Sequence, residues 1–148
     1  MASKKGKEIK QTKDIKSSSW TAKELLDVEI PEVSFVVNEL LPQGMFWMSA
    51  GKKIGKSYLA LQLMVAIASK NKKFLGRDVK HGKVLYISFE DNPRRVRRRL
   101  MAMKALDNTQ NIEIEFNWKP LNKGGFEELK VRLSKNNYVL CILDTWAW

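Results

Sequence analysis

The chain contains one cysteine, Cys141, and one histidine, His81, among its 148 residues. A single cysteine excludes a disulfide within the chain, and we expect Cys141 to be a small buried apolar residue in a reducing compartment. No second metal-type ligand lies near His81 in the sequence, so we expect it to be solvent-exposed. Long apolar runs are also missing, because the longest one, residues 58–68, is interrupted by Gln62 and is too short to cross a bilayer.

Acidic residues are scarce relative to basic ones. The chain has 16 Asp and Glu against 27 Lys and Arg, which gives a formal net charge of +11 at pH 7. Residues 1–19 carry six lysines and few apolar side chains. We expect them to form a disordered basic tail, which either attracts nucleic acid or only keeps the chain in solution. Because polar residues follow the basic start, a signal peptide is not predicted, and we expect a cytoplasmic protein without membrane contact.

The most informative pattern lies in residues 50–57. It fits the phosphate-loop pattern G-x-x-x-x-G-K-[ST], with alanine, another small residue, in place of the first glycine. The apolar residues 45–49 before it predict a strand, and residues 58–69 after it predict a helix, which is the context that this pattern requires. An ordinary basic turn is the alternative. The residues expected to contact ATP phosphates are Ala50, Gly51, Lys52, Lys53, Ile54, Gly55, Lys56, Ser57 and Tyr58.

The parts of this loop have separate expected roles. Backbone N–H groups and the N-terminus of the following helix bind phosphate oxygens. Lys56 reaches the β- and γ-phosphates and counts as a catalytic residue, and the Ser57 hydroxyl ligates Mg²⁺. The pattern therefore predicts ATP and Mg²⁺ as cofactors.

Strands alternate with helices along the rest of the chain. Residues 84–89 and 138–143 are nearly continuously apolar, which is typical of buried strands. Residues 112–116 alternate apolar and polar side chains, which is typical of a half-exposed edge strand. The order predicts an α/β fold over residues 20–148, with a mainly parallel sheet flanked by helices.

Three helices have recognisable signals. Thr21 and Glu24 can form a capping box at the start of a short helix. Asn92 can be the N-cap of a second helix, with Pro93 at its first position. A third helix is predicted over about residues 125–135, and the side chains expected to face inward are Phe126, Leu129 and Leu133.

Carboxylates follow two of the predicted strands, at the edge where ligands of parallel sheets bind. Asp144, preceded by apolar residues, has the position of a Walker B aspartate, which holds Mg²⁺ through Ser57 or a water molecule. Glu90 is then the catalytic candidate that polarises the attacking water, and Asp91 is the neighbouring fallback. A simple solvated carboxylate is the alternative interpretation of Glu90.

The helix that begins at Asn92 carries a dense arginine cluster. A solvated helix face is one interpretation, and a contact to phosphate or to an acidic neighbouring subunit is the other. The candidate nucleic-acid or subunit contacts are Arg94, Arg95, Arg97, Arg98 and Arg99.

The order of these motifs resembles that of the RecA-like P-loop ATPases of the RepA type, a group of AAA family ATPases. The resemblance covers about residues 20–148. Besides the phosphate loop, it rests on LLPQG at 40–44, YISFEDNP at 86–93, PLNKGG at 120–125 and LDT at 143–145. In that family the glutamate after the second strand activates water, which corresponds to Glu90. The resemblance implies a ring-forming, DNA-associated ATPase, with helicase activity in the best-known branch.

The sequence departs from this family at its end. It stops three residues past Thr145, before the sensor residue, the DNA-contacting loops and the arginine that reaches a neighbour's ATP in such enzymes. We therefore expect the N-terminal part of a longer protein, truncated after the Walker B strand, which hydrolyses ATP poorly by itself. Two other functions stay open: a small-molecule or nucleoside kinase, and a non-catalytic nucleic-acid-binding module.

Overall fold

The structure, a computed structural model, describes residues 19–51, 53–70, 72–105 and 109–145. The chain divides into a unit that ends at Val33 and a unit that begins at Ser34. The predicted basic tail, apart from Ser19, lies outside the described residues. In the described part of the chain, no helix is long and apolar enough to span a membrane.

The first unit contains helix α1 (Ala22–Asp27). The predicted capping box is confirmed: the Glu24 N–H donates to the Thr21 hydroxyl at 3.3 Å, and the Glu24 carboxylate accepts from the Thr21 N–H at 3.0 Å. The helix ends where the Val28 N–H donates to the Glu24 carbonyl. No side chain of α1 is buried, so its N-terminal hydrogen bonds are the local feature that fixes its start.

From residue 83 onwards, the second unit alternates strands and helices, as predicted. In chain order its elements are β1 (Phe35–Val37), β2 (Leu41–Pro42), α2 (Lys56–Ala68), β3 (Lys73–Phe74), β4 (Arg77–Asp78), β5 (Lys83–Ser88), α3 (Pro93–Ala102), β6 (Ile112–Glu115), α4 (Gly125–Lys135) and β7 (Tyr138–Asp144). Short 3₁₀ turns at Thr109–Asn111 and Leu121–Lys123 precede β6 and α4.

Strands β6, β5 and β7 form a parallel sheet with β5 in the centre. The predicted parallel sheet and the edge position of β6 are therefore confirmed. Every residue of β5 after Lys83 is buried, because strands cover both of its edges and helices cover both of its faces. Strand β7 is mostly half-buried, although its sequence is the most apolar, because it lies at the other edge of the described sheet.

Helices cover both faces of this sheet. Side chains of β5 alternate between the faces. Val84 and Tyr86 pack with α2 and with Val96 of α3, whereas Leu85 packs with Leu129 of α4. Helices α2 and α3 therefore lie on one face and α4 lies on the other, which confirms the expected α/β layers.

The short strands form a second, antiparallel layer that the sequence does not predict. Strand β1 pairs with β2, and β3 pairs with β4 in a hairpin. The Asn38 N–H donates to Asp78 and the Lys80 N–H donates to Val36, both at 2.9 Å, which joins the hairpin to β1. Strands of two residues are too short to show an alternating pattern in the sequence.

The strand predicted at residues 45–49 is wrong. This segment has no regular secondary structure, and its apolar side chains are exposed, from 52% for Phe46 and Met48 to 82% for Met45. A strand needs a neighbour to complete its hydrogen bonds. Among the described residues no strand pairs with this segment, so apolar character alone does not make it one.

The inward face predicted for α4 is only partly correct. Its bounds match the prediction and Leu129 is buried, but Phe126 is 47% exposed and Leu133 is 38% exposed. The helix approaches the sheet through a narrow stripe. Phe126 instead lies under the Lys130 ammonium, which is 4.6 Å from the ring centre.

Candidate active site

The carboxyl ends of β5 and β7 lie side by side. Ser88 is the register partner of Asp144, and the Phe89 N–H donates to the Asp144 carbonyl at 2.7 Å. Glu90 follows Phe89 directly. The structure therefore brings the two predicted carboxylates, Glu90 and Asp144, to the same edge of the sheet.

The orientation of α2 directs the phosphate loop to that edge. The C-terminal end of α2 is held at the opposite edge, where Ile67 accepts from the Gly82 N–H and Ala68 accepts from the Asn111 amide, both at 3.1 Å. Thirteen helical residues span about 20 Å, which is close to the length of the six-residue strand β5. The N-terminus of α2, with Gly55 before it, is therefore directed towards the edge that carries Glu90.

The loop is shaped by Gly55 and Lys56. Gly55 is the N-cap of α2 and has φ of 99°, a left-handed conformation that glycine adopts without the steric cost of a Cβ atom. The Lys56 ammonium donates to the carbonyls of Ala50 at 2.7 Å and Gly51 at 2.9 Å, which closes the loop on itself. In the described part of the chain, no side chain caps α2. Lys52 lies outside the described residues.

Asp144 is buried, and both of its carboxylate oxygens have donors. Oδ2 accepts from the Tyr86 hydroxyl, and Oδ1 accepts from the Thr145 hydroxyl at 3.1 Å. Burial, and next the bond to Asp144, raises the pKa of the Tyr86 phenol well above its ordinary value, so the hydroxyl stays protonated. Tyr86 and Thr145 therefore fix the orientation of the Asp144 carboxylate.

Glu90 and Asp91 have different surroundings although they are adjacent. The Glu90 side chain is exposed, and no hydrogen bond or ion pair to it is found in the described residues. The Asp91 carboxylate is only 7% exposed and accepts from the Arg95 guanidinium at 2.7 Å and from that of Arg99. The Asp91 N–H donates to the Ser88 hydroxyl at 3.1 Å. Glu90 is thus the carboxylate that is free to contact a water molecule. Asp91 is instead bound by Arg95 and Arg99 within the fold.

These residues fit ATP and Mg²⁺. The uncapped start of α2 offers N–H groups and a positive helix end to phosphate oxygens. The hydroxyl of Ser57 and the carboxylate of Asp144 are oxygen donors, which Mg²⁺ prefers. No cluster of three His, Cys, Asp or Glu side chains gathers in the described ranges, so protein ligands would be completed by phosphate oxygens, as is usual for Mg²⁺.

Cys141 and His81 take no part in this site. Burial raises the pKa of the Cys141 thiol to about 11, so it is not a nucleophile near neutral pH. His81 is exposed, as predicted, and lies against the carbonyl of Ile67 at the opposite edge of the sheet.

Sequence reasoning missed Tyr86 and the pairing of Asp91. Tyr86 lies within an apolar run, so its sequence context predicts a core residue. Its contact with Asp144 could be anticipated only from strand alternation, because residues 86 and 88 face the same side of β5 and residue 88 aligns with Asp144. The spacing of Asp91, Arg95 and Arg99 places them four residues apart, which is a recognisable helix-pair signal.

A phosphate loop at a helix N-terminus, beside the carboxyl ends of a parallel sheet, defines the class of P-loop nucleotide-binding proteins. A family model described as AAA domain matches residues 11–146. The chain belongs to this AAA domain family, which indicates a nucleotide-binding ATPase. Comparisons with curated proteins and with solved structures found no match.

Proposed function

We propose that this chain binds ATP with Mg²⁺ and hydrolyses it, as a cytoplasmic RecA-like ATPase of the RepA type that acts on DNA. One observation carries the proposal. Glu90 follows β5 and Asp144 ends β7 at the same edge of the sheet, and the N-terminus of α2 is directed towards that edge. This arrangement supports a site in which the loop binds phosphate, one carboxylate binds a metal and the other orients water.

Each residue has a defined task in this proposal. When nucleotide binds, the Lys56 ammonium would donate to phosphate oxygens instead of to the carbonyls of Ala50 and Gly51. Its positive charge would then lie beside the phosphate group that is transferred. Ser57 and Asp144 would hold Mg²⁺, which would supply positive charge to the phosphates. Exposed Glu90 accepts a hydrogen bond from the attacking water and orients it.

Replacing Lys56 tests nucleotide binding. We expect Lys56→Ala to weaken the binding of Mg²⁺-ATP at least tenfold in calorimetric titration, because a charge-assisted contact to phosphate contributes about 1.5–3 kcal/mol. Lys70→Ala, an exposed lysine beyond the end of α2, is the matched control and should bind like the original chain. Equal affinities of both variants would reject the nucleotide site.

Replacing Glu90 tests the hydrolytic role separately. We expect Glu90→Gln to keep the ATP affinity and to lower the slow single-turnover hydrolysis expected of this chain by two orders of magnitude or more, since general-base groups contribute about 10²–10⁴-fold. Glu32→Gln changes charge equally at an exposed position and should hydrolyse ATP normally. Unchanged hydrolysis in Glu90→Gln would show that another residue orients the attacking water.

DNA as the partner and a homo-oligomeric ring are part of the same proposal. The net charge of +11 supports attraction to a polyanion. The kinase alternative needs arginines that close over a phosphate acceptor. Two of the five arginines of α3 are already bound to Asp91, which weakens that alternative. A non-catalytic nucleic-acid module would show no binding of Mg²⁺-ATP in the titration above.

A further inference from the structure

Helix α3 carries its arginines on two different faces. Arg95 and Arg99, four residues apart, both bind the buried carboxylate of Asp91. Asp91 in turn is fixed through the Ser88 hydroxyl at the end of β5. These two arginines therefore attach α3 to the sheet, and their charge is partly neutralised within the fold.

The remaining three arginines form an outward surface. Arg94, Arg97 and Arg98 have the i, i+3 and i+4 spacing of one helix face, and all three are exposed. In the described part of the chain, no ion pair engages them. They line an open depression of about 540 Å³, whose other lining residues are Asn92, Arg95 and Met101. None of its described lining residues is acidic.

Three unpaired arginines on one helix face repel each other, and phosphate relieves this repulsion. Their Cβ atoms are about 5–6 Å apart, so each guanidinium can take a different phosphate along one strand. Guanidinium groups match phosphate oxygens in bidentate geometry. An acidic protein partner is less well matched, because the centre of a stable protein interface is hydrophobic, and among the described residues Met101 is the one apolar side chain that lines the depression.

We infer that Arg94, Arg97 and Arg98 form a binding surface for the phosphate backbone of nucleic acid, whereas Arg95 and Arg99 serve the fold. This inference rests on the proposed function only in naming nucleic acid as the polyanion that binds. Binding at this surface does not require bound ATP. It begins four residues after Glu90, so a bound strand would lie beside the candidate active site. Contacts to the backbone alone predict binding without sequence preference.

The test is fluorescence anisotropy of labelled single-stranded DNA over a salt series, without nucleotide. We expect the triple variant Arg94→Gln, Arg97→Gln, Arg98→Gln to lower the log–log salt slope by about two, at about 0.7 per phosphate contact for single strands. The matched control removes three charges elsewhere, through the exposed residues Lys80→Gln, Lys123→Gln and Lys135→Gln, and should keep the slope.

If the salt slope falls equally in both triple variants, the effect comes from total charge and the proposal is overturned. An unchanged slope in the arginine variant would also overturn it. Arg99→Gln should lower the melting temperature and leave the slope unchanged. Polyglutamate that competes as well as DNA of equal charge would overturn the choice of nucleic acid. The DNA assay contains no nucleotide, so it tests this surface independently of the ATPase. If the original chain shows the expected salt slope but does not bind Mg²⁺-ATP, the ATPase proposal is rejected and the arginine surface is retained.

Discussion

Replacing Tyr86 with phenylalanine removes one hydroxyl from the core, next to Asp144. Tyr86 is completely buried, and its hydroxyl is the donor to Oδ2 of a carboxylate that is itself buried. The aromatic ring of phenylalanine fills the same space. The substitution therefore leaves packing intact and leaves one oxygen of Asp144 without its partner.

The expected cost follows from this burial. A hydrogen bond to a charged group contributes about 1.5–3 kcal/mol, and we take about 2 kcal/mol for Tyr86→Phe. For a chain of this size, 1 kcal/mol corresponds to about 2–4 °C, so the melting temperature should fall by about 4–8 °C. Removing a hydrogen-bond donor that orients a metal-binding carboxylate also weakens metal affinity by about tenfold or more. The Mg²⁺ concentration for half-maximal ATP binding should therefore rise about tenfold or more in Tyr86→Phe.

Tyr138→Phe is the matched control. The Tyr138 hydroxyl donates to Glu113, a half-buried carboxylate at the opposite edge of the sheet that keeps Lys83 and Arg132 as partners. Its loss should cost about 0.5 kcal/mol and leave the Mg²⁺ dependence unchanged. Thermal melts and titrations of Mg²⁺ at fixed ATP measure both effects. If the two variants melt alike and share one Mg²⁺ dependence, Tyr86 does not orient Asp144.

Two further predictions concern stability. Hydrogen bonds from Lys83 first, then from Tyr138 and Arg132, lower the pKa of Glu113 from 4.5 to about 2, so its stabilisation is complete above pH 4.5 and is lost as the pH falls towards 2. We expect about 1 kcal/mol from this group after solvent screening, and urea unfolding at pH 7 and pH 3 should show a smaller difference for Glu113→Gln than for the original chain. Gly125→Ala would place a Cβ atom against the Lys119 carbonyl oxygen, and the melt should report a loss of about 1–3 kcal/mol, so an unshifted melt would contradict this close approach.

Much of the second unit could be predicted because its signals are local. The cap at Asn92 fixes the start of α3: its side chain accepts from the Arg95 N–H at 3.0 Å, and Pro93 follows at the first helical position. The apolar strands β5 and β7 were predictable for the same reason, since a parallel strand covered on both faces is a continuous apolar run.

The failures share a physical cause, which is that pairing is not local. Residues 45–49 have the composition of a strand, but a strand forms only where a neighbour accepts its hydrogen bonds. The pairing of Asp91 with Arg95 and Arg99 has a local signal in its four-residue spacing, but the burial of the Asp91 carboxylate depends on the turn after Ser88. The sequence predicted that Glu90 and Asp144 lie at one edge of the sheet, while their roles stay a prediction; the contacts of Tyr86 and Thr145 with Asp144 depend on the folded arrangement of β5 and β7.

The two carbonyl contacts of Lys56 have a consequence for how nucleotide binding would be observed. Because the ammonium already binds the carbonyls of Ala50 and Gly51, these two residues are tied to the start of α2 before any ligand arrives. Arrival of a phosphate is then a substitution of one set of acceptors for another, with little ordering of the backbone. Calorimetry should accordingly record a small heat-capacity change, and amide exchange within α2 should be protected to the same degree before and after ATP is added.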